Sequence, residues 1–201
     1  MVDTIVIKKY QEVSKLIKPD SSILDIGCGD GSFKDFVKTS SYTGVDIEKE
    51  EIDNIKKQGH KSFLIDLNNY KKLQFREKYD YILFLDVLEH TLNPKKILKD
   101  FKKFLNENGR MIVSLPNDHH ILNKIRFLLN RKITKEPFWE HGHLHTFPIK
   151  EGKNFLEEQG FKILKVIYLP PEEPKIPLRK SLADTFPNNF ARIVVYLLEP
   201  V

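Results

Sequence analysis

A glycine loop and two separated aspartates are the residues of this sequence whose spacing favours ligand binding. The loop spans residues 27–31 with glycine at its first, third and fifth positions, and Asp25 precedes it by two residues. Glycines let the chain turn tightly and lie against a ligand without a Cβ in the way. Asp46 and Asp66 each end a further predicted strand, where carboxylates can accept hydrogen bonds from ribose hydroxyls and from an adenine amino group. Together these residues predict a nucleoside-type ligand at one edge of a sheet.

The charge beside the loop distinguishes between two nucleotide-type ligands, NAD and S-adenosylmethionine. The dinucleotide fingerprint Gly-x-Gly-x-x-Gly holds a pyrophosphate with its third glycine and a helix N-terminus. Here the spacing is Gly-x-Gly-x-Gly, and the carboxylate of Asp25 repels phosphate but suits an ammonium or sulfonium group. The pattern therefore favours S-adenosylmethionine over NAD. A tight turn with acidic helix caps is the purely structural alternative.

Side chains that can accept a proton follow the fourth and fifth predicted strands, at residues 79–85 and 110–115. Glu89 and His90 come after the fourth strand, and His143 and His145 after the fifth. If the ligand is S-adenosylmethionine, the expected reaction is transfer of the methyl group from its sulfonium. That reaction is a displacement on an activated carbon, so a general base is needed only where the acceptor must lose a proton. Histidine suits that role because its ordinary pKa of about 6.5 leaves it mostly neutral near pH 7. The alternatives are that His90 covers the cofactor pocket and that Glu89 interacts with a helix macrodipole.

Histidines at alternate positions also suggest a metal. His141, His143 and His145 would present their imidazoles on one face of an extended chain, a geometry that can bind zinc. The apolar and aromatic residues around them, among them Trp139 and Phe147, instead favour a lid over the active site. We therefore predict that the chain holds no metal, which metal analysis of the purified protein would test.

Short apolar strands that alternate with amphipathic helices are expected to position these residues. We predict strands at residues 23–26, 42–46, 61–66, 79–85, 110–115, 161–169 and 192–198, and helices at residues 10–18, 32–39, 48–58, 94–105, 121–129 and 149–159. Such alternation is typical of βαβ units and of a parallel sheet covered on both faces. The predicted class is α/β, a doubly wound three-layer Rossmann-like fold whose mostly parallel sheet ends in an antiparallel strand.

The chain shows no internal repeat and no linker that would divide it. We therefore predict one domain over residues 1–201. Residues 117–147 and the proline-rich residues 170–189 interrupt the alternation of strands and helices. Both segments are expected to lie on the side that recognises the methyl acceptor.

The motifs in this order resemble those of class I S-adenosylmethionine-dependent methyltransferases. Residues 23–31, Ile-Leu-Asp-Ile-Gly-Cys-Gly-Asp-Gly, are similar to their first motif, and residues 44–47 are similar to their second. Residues 79–90 resemble the fourth-strand signature of the ubiquinone/menaquinone-biosynthesis-like branch. The order of motifs is also similar to that of MetW-like proteins and of methyltransferases associated with glycan assembly. The resemblance extends to about Val166.

The resemblance implies which residues hold the cofactor. From the methionine end of the cofactor to its adenine, these positions are Leu85, Asp86, Asp25, Gly27, Cys28, Gly29, Asp46, Ile47, Asp66 and Leu67. Leu85 and Asp86 would approach the amino acid end through their backbone. Cys28 would contribute its small size and its backbone, not a reactive thiol.

Composition limits the compartment and the partners. The 201 residues include one cysteine, which excludes an intramolecular disulfide framework and a zinc site built from clustered cysteines. No apolar run approaches the roughly 20 residues of a spanning helix, so a cytoplasmic protein is expected. A formal net charge of +5 suggests nucleic acid. However, the lysines of the predicted helix 94–105 lie mostly opposite its apolar face, so nucleic acid is not the expected partner.

Residues 121–132 have the pattern of a basic amphipathic helix. Such a helix can lie on an anionic bilayer and admit a lipid-like acceptor, or it can pack as a lid on its own domain. The function predicted from the sequence is transfer of a methyl group from S-adenosylmethionine to an oxygen or nitrogen of a small-molecule or lipid-linked acceptor. The alternatives are a cofactor-binding partner module with little catalysis of its own and, because of the charge, an RNA methyltransferase.

Overall fold

One mixed sheet organises the residues that the computed structural model describes, which are 4–70, 75–131, 142–172 and 177–201. Its strands are β1 (Ser21–Ile26), β2 (Thr39–Asp46), β3 (Lys61–Leu64), β4 (Tyr79–Leu85), β5 (Leu105–Pro116), β6 (Phe161–Leu169) and β7 (Ile193–Pro200). They lie in the order β3-β2-β1-β4-β5-β7-β6. Neighbours from β3 to β5 pair parallel, whereas β7 pairs antiparallel with both β5 and β6. The predicted mostly parallel sheet with an antiparallel last strand is confirmed.

Helices cover both faces of this sheet. They are α1 (Thr4–Ser14), α2 (Lys49–Lys57), α3 (Pro94–Lys102), α4 (Ile121–Leu128), α5 (Ile149–Glu158), α6 (Arg179–Thr185) and α7 (Pro187–Phe190). Successive side chains of β4 point to opposite faces of the sheet and so contact both helix layers. Ile82 and Phe84 pack with α3 and α5, whereas Tyr81 and Leu83 pack with α1. The three-layer arrangement predicted from the alternating elements is therefore confirmed.

Near the amino terminus the predicted helices were wrong in extent. The first helix was predicted at residues 10–18, but α1 begins at Thr4 and ends at Ser14. Its buried stripe is Ile5, Lys9 and Val13, and the lysine in the middle conceals the apolar pattern. The second helix, predicted at residues 32–39, is a short 3-10 turn at Ser32–Phe36. It stops there because the chain enters β2, which starts at Thr39.

Two further boundaries differ for reasons of strand pairing. The strand predicted at residues 61–66 as buried is Lys61–Leu64 at the edge of the sheet, where Leu64 is 54% exposed. Among the described strands it pairs with β2 alone, so one side of it has no described neighbour. Helix α3 begins at Pro94, as predicted, but ends at Lys102. Leu105 already pairs with Tyr79 as the first residue of β5.

The proline-rich connection before the last strand contains helices that the sequence did not predict. Its described residues from 177 onward include α6 and α7, and Ala183 of α6 is fully buried in the core. Proline at the first position of α7 is compatible with a helix start. None of the described helices is long and apolar enough to cross a membrane.

Candidate functional site

The carboxyl ends of four adjacent parallel strands open onto one cleft of about 430 Å3. These strands are β3, β2, β1 and β4, the half of the sheet that contains the topological switch. A cleft of this size lies within the range of about 300–1,000 Å3 for small-molecule sites. The residues that line it are Gly27, Val45, Asp46, Ile47, Ile65, Asp66, Leu67, Asn68, Asp86, Val87, His90, Thr91, Gly142 and Leu144.

The glycine loop forms the floor of this cleft at its first glycine. Gly27 has a φ of +68°, and a Cβ built on it would lie 2.5 Å from Cγ2 of Val87. The N–H of Gly27 donates to the carbonyl oxygen of Val45 at 2.8 Å, which fixes the loop against the end of β2. Only glycine is compatible with both the backbone angle and the contact with Val87. The bare backbone of the loop is therefore what a ligand meets here.

Main-chain donors orient the aspartates that follow β2 and β3. Oδ2 of Asp46 accepts from the N–H of Gly29 at 2.8 Å, and Oδ1 accepts from the N–H of Glu48 at 3.0 Å. Oδ1 of Asp66 accepts from the N–H of Asn68 at 2.8 Å. A carboxylate oxygen has more than one acceptor site, so both side chains can still accept from a ligand in the cleft.

Four of the predicted cofactor residues lie outside the cleft lining. Asp25 is buried beneath the loop, where Oδ2 accepts from the Tyr42 hydroxyl at 2.7 Å. Desolvation raises the pKa of Asp25 to about 7. Cys28 is buried, and desolvation raises the pKa of its thiol, which opposes a role as nucleophile. Gly29 bonds to Asp46, as described above, and Leu85 is buried in the core. Direct contact of these four with the cofactor stays a prediction.

A buried ion pair holds Asp86 at the end of β4. Asp86 has a φ of +60°, a left-handed conformation that is uncommon for a residue other than glycine. Nζ of Lys9, whose side chain is 4% exposed, donates to Oδ2 of Asp86 at 2.6 Å. The hydroxyl of Ser114 donates to Oδ1. Lys9 and Ser114 thus fix this carboxyl from α1 and from β5.

A second group of polar residues lies on the chain that follows Asp86 and on the segment that contains His143. We call Glu89, His90 and His143 the acceptor-end cluster. Each offers one ligand atom, and these atoms all lie within 4.8 Å of one another. Nε2 of His90 lies 3.9 Å from Oε1 of Glu89, and the rings of His90 and His143 are 5.1 Å apart. The structure therefore brings together three of the four residues that the sequence suggested as catalytic.

Hydrogen bonds set which ring nitrogen of each histidine carries the proton in the neutral ring. Nδ1 of His143 lies 3.0 Å from Oδ2 of Asp118, and Nδ1 of His90 lies 3.3 Å from the carbonyl oxygen of Gly142. Because both oxygens are acceptors, each Nδ1 carries a proton and each Nε2 carries a lone pair. Nε2 of His145 instead donates to the carbonyl oxygen of Thr91 at 2.9 Å. His145 therefore ties its segment to the chain after β4, and a catalytic role for it stays a prediction.

Burial dominates the electrostatics of the cluster. Desolvation, followed by repulsion from Asp86, raises the pKa of Glu89 to about 8. The hydrogen bond with Asp118 raises the pKa of His143 above its ordinary value. A carboxyl group that is neutral near pH 7 beside two imidazoles can exchange a proton with a bound molecule.

Several residues of the site were not predicted from the sequence, and others lie outside the described residues. Lys9 could have been found, because it falls four residues after Ile5 and four before Val13 on one helical face. Asp118 gave no signal, since only the folded chain brings it to His143. His141, Trp139 and Lys132 lie outside the described residues, so the three-histidine metal arrangement and the aromatic lid are not described in full.

The charges that line the cleft fit the cofactor predicted from the loop. The lining contains Asp46, Asp66 and Asp86, and among the described residues it contains no lysine or arginine. A pyrophosphate group would be repelled by these three carboxylates, whereas a sulfonium or ammonium group meets charges of opposite sign. With the bare backbone at Gly27, this donor set fits S-adenosylmethionine and does not fit NAD.

Comparison with known proteins agrees with this geometry. Residues 2–166 match a family model described as a methyltransferase domain. An uncharacterized protein of Methanocaldococcus jannaschii is 31% identical over 163 residues, which cover 80% of this chain and 74% of that protein. A ubiquinone biosynthesis O-methyltransferase of Glaesserella parasuis is 28% identical over 106 residues, which cover 47% of this chain and 45% of that protein.

The fold is also similar to solved structures. A SAM-dependent methyltransferase from Archaeoglobus fulgidus superposes with a TM-score of 0.68 at 18% identity, covering 97% of this chain and 93% of that one. The family match spans most of the chain and includes the glycine loop, the strand-end aspartates and the acceptor-end cluster. The chain therefore belongs to the methyltransferase domain family, as a class I S-adenosylmethionine-dependent methyltransferase.

Proposed function

We propose that this protein methylates an oxygen or nitrogen atom of a small-molecule or lipid-linked acceptor that binds at the acceptor-end cluster. The observation that carries the proposal is the position of His90. Its ring lines the cleft together with Asp86, and Glu89 and His143 lie directly behind it. One cleft thus joins the expected cofactor residues to groups that can take up a proton.

We assign the cofactor to the strand-end side of the cleft. Asp46 and Ile47 would hold the ribose and adenine, Asp66 and Leu67 the adenine, and Gly27 with Asp86 the methionine end. S-adenosylmethionine supplies a methyl group on a positively charged sulfur, and the C–S bonding pair stays on sulfur as the acceptor's lone pair forms the new bond to carbon. The chain's own part is to align the two molecules and exclude water.

The acceptor-end cluster supplies groups that can take up a proton, which the cofactor does not. An O–H or protonated amine acceptor must lose a proton for methylation to complete, and the imidazole of His90, which lines the cleft, is a group that can take it up. Glu89, with its raised pKa, lies 3.9 Å from Nε2 of this imidazole and can share the proton. His143 and its partner Asp118 complete this end, and His145 holds the segment in place.

The exposed end of α4 favours an acceptor carried by a membrane. Phe127 is 74% exposed, Leu128 is 81% exposed and Leu129 is 58% exposed. Arg126 and Arg131 lie among these apolar side chains, so the surface combines apolar contact with positive charge, as anionic bilayers require. Asp118, which contacts His143, precedes α4 by three residues, so the same helix connects the acceptor-end cluster to this surface, with the cluster near its amino end and the surface at its carboxyl end.

Vesicle binding tests that surface directly. We expect the protein to sediment with vesicles that contain anionic lipid, and the Phe127→Ser/Leu128→Ser variant to bind about tenfold more weakly because apolar burial is lost. Lys57→Ser on α2, at another part of the surface, is the control. Equal sedimentation of wild type and double variant would contradict a membrane role and leave a freely diffusing acceptor.

Turnover against a panel of acceptors tests the function as a whole. We expect S-adenosylhomocysteine to form only with an acceptor present, and Glu89→Gln to slow its formation while cofactor binding persists. A non-catalytic module, which family membership does not favour, would bind the cofactor and give no product with any acceptor. Product formation with RNA but with no small molecule or lipid-linked acceptor would overturn the acceptor class proposed above.

A further inference from the structure

The side chain of Glu89 is buried without a hydrogen bond. It is 1% exposed, and neither carboxyl oxygen has a hydrogen-bond partner among the described residues. Native structures rarely leave such groups unsatisfied, because burying an unpaired carboxyl group is costly. Nε2 of His90 lies 3.9 Å from Oε1 of Glu89, beyond hydrogen-bond distance. The carboxyl group is therefore positioned for a partner that the described residues do not provide.

The other two members of the cluster, His90 and His143, lie close to this carboxyl group. Ligand atoms of Glu89, His90 and His143 lie within 4.8 Å of one another. Donors that share one ion through bonds of about 2.1 Å in tetrahedral geometry are separated by about 3.4 Å. Closing the difference requires movements of about 1 Å, which rotation of the half-exposed imidazole of His143 can supply.

Both histidines have the outer contacts that orient a metal ligand. Ligating histidines almost always donate their second ring N–H to a carboxylate, a backbone carbonyl or water. Nδ1 of His143 meets Asp118, a carboxylate, and Nδ1 of His90 meets the carbonyl oxygen of Gly142. In the neutral rings these contacts leave the lone pair on Nε2, the nitrogen that would bind the ion.

From these contacts we propose that Glu89, His90 and His143 bind a divalent transition-metal ion of the Zn2+ type at the acceptor end of the cleft. Two imidazoles and one carboxylate suit such an ion, whereas Mg2+ and Ca2+ prefer ligand sets of oxygen alone. Three protein ligands leave a fourth position for a bound molecule, as in catalytic zinc sites.

The site differs from the metal arrangement that the sequence suggested. That arrangement joined His141, His143 and His145 along one extended segment. In the structure, Nε2 of His145 is bound to the carbonyl oxygen of Thr91, while His143 meets residues from the chain after β4. The prediction that the chain holds no metal considered only the local spacing, so it did not consider this combination.

The use of the ion rests on the proposed function. An acceptor hydroxyl bound at the fourth position would lose its proton at a lower pH, because a divalent ion lowers the pKa of bound water and hydroxyl groups. The acceptor-end cluster would then act by holding the ion. Asp118 would be a positioning residue, since it touches His143 and not the acceptor.

Metal binding can be measured without an acceptor. Protein prepared without a histidine tag is stripped with a chelator and titrated with Zn2+ by calorimetry, with S-adenosylmethionine binding measured in the same samples. We expect one ion per chain for wild type, and loss of stoichiometric binding in Glu89→Gln and His143→Ala. Asp118→Asn, at the partly exposed surface, should fold normally and weaken Zn2+ binding 10–100-fold. His60→Ala, at the amino end of β3 and the opposite edge of the sheet, should bind like wild type.

The outcomes separate this proposal from the function. If the wild type binds no stoichiometric Zn2+, or if Asp118→Asn and His143→Ala bind it as tightly as the wild type does, the metal site is overturned. Should turnover still depend on Glu89 in metal-free protein, the proposed function survives and the cluster acts by proton transfer. Stoichiometric Zn2+ binding that Glu89→Gln abolishes, in a protein that methylates nothing, would retain the site and overturn the function.

Discussion

The two ends of the cleft are built in different ways. At the cofactor end, Asp46 and Asp66 follow directly from strand ends and are oriented by main-chain N–H groups of nearby loops. At the acceptor end, His143 meets Asp118 and His90 meets Gly142 across 25 and 52 residues of chain. One end depends on the register of a parallel sheet, and the other depends on where long loops meet.

This difference separates what the fold fixes from what a family member can vary. Sheet register places the carboxyl ends of adjacent strands side by side in any chain with this alternation, so the cofactor end is set once the sheet forms. Loops can be exchanged without disturbing that sheet, so acceptor recognition can change while the cofactor site is kept. The two ends should therefore respond separately to substitution.

The largest expected effect is on turnover, at the acceptor end. Glu89→Gln or His143→Ala should lower kcat by about 10²–10⁴-fold, because proton uptake from the acceptor, directly or through an ion, is lost. The affinity for S-adenosylmethionine should stay within about threefold of wild type, since neither residue belongs to the cofactor end. His60→Gln is the matched control. Loss of cofactor affinity with kcat retained at saturation would show that the two ends are not separate.

A smaller effect is expected on stability where the two ends join. Lys9→Met should lower the free energy of unfolding by about 3 kcal/mol, because Asp86 would keep a half-buried charge without its partner. Lys15→Met, which removes an exposed pair with Glu12 just after the end of the same helix, should cost no more than about 0.5 kcal/mol. Urea unfolding followed by circular dichroism measures both. Equal losses in the two variants would mean that the pair does not hold Asp86.

Cofactor binding should change by a similar or smaller amount. Asp46→Ala should weaken S-adenosylmethionine binding by about 1–3 kcal/mol, because ribose hydroxyls would lose their acceptor. Asp53→Ala removes an exposed carboxylate on α2 and should leave the affinity unchanged. Calorimetry distinguishes the two. If both variants bound the cofactor like wild type, the assignment of Asp46 to the ribose would be wrong.

A separate effect is expected on the pH dependence of stability. Desolvation raises the pKa of Asp25 from 3.8 to about 7 in the folded protein. Between these values the folded state binds more protons than the unfolded state, so this group's stabilising contribution is complete below pH 4 and is lost as the pH rises to about 7. Asp25→Asn should remove that decline. Unfolding curves from pH 4 to pH 8 that keep the same slope in the variant would contradict a buried, neutral Asp25.

The cofactor end could be predicted from the sequence because its signals are local. Glycine spacing, the aspartates after apolar runs and the alternation of strands and helices all follow from a few consecutive residues. The burial of Lys9 follows from its helical spacing with Ile5 and Val13, but its partner Asp86 is 77 residues away and could not be predicted. Asp118 was missed for the same reason, and α6 was missed because prolines in that segment suggested only a loop. The residues of the acceptor end were suggested by their types, but their contacts with one another could not be predicted without the fold.

One calorimetric experiment tests the central claim most directly. S-adenosylmethionine and NAD are each titrated into wild type, Asp46→Ala and Glu89→Gln. We predict one equivalent of S-adenosylmethionine bound by wild type and by Glu89→Gln, weaker binding by Asp46→Ala, and no binding of NAD by any of them. Tight NAD binding, or no binding of S-adenosylmethionine by wild type at millimolar concentration, would contradict the account.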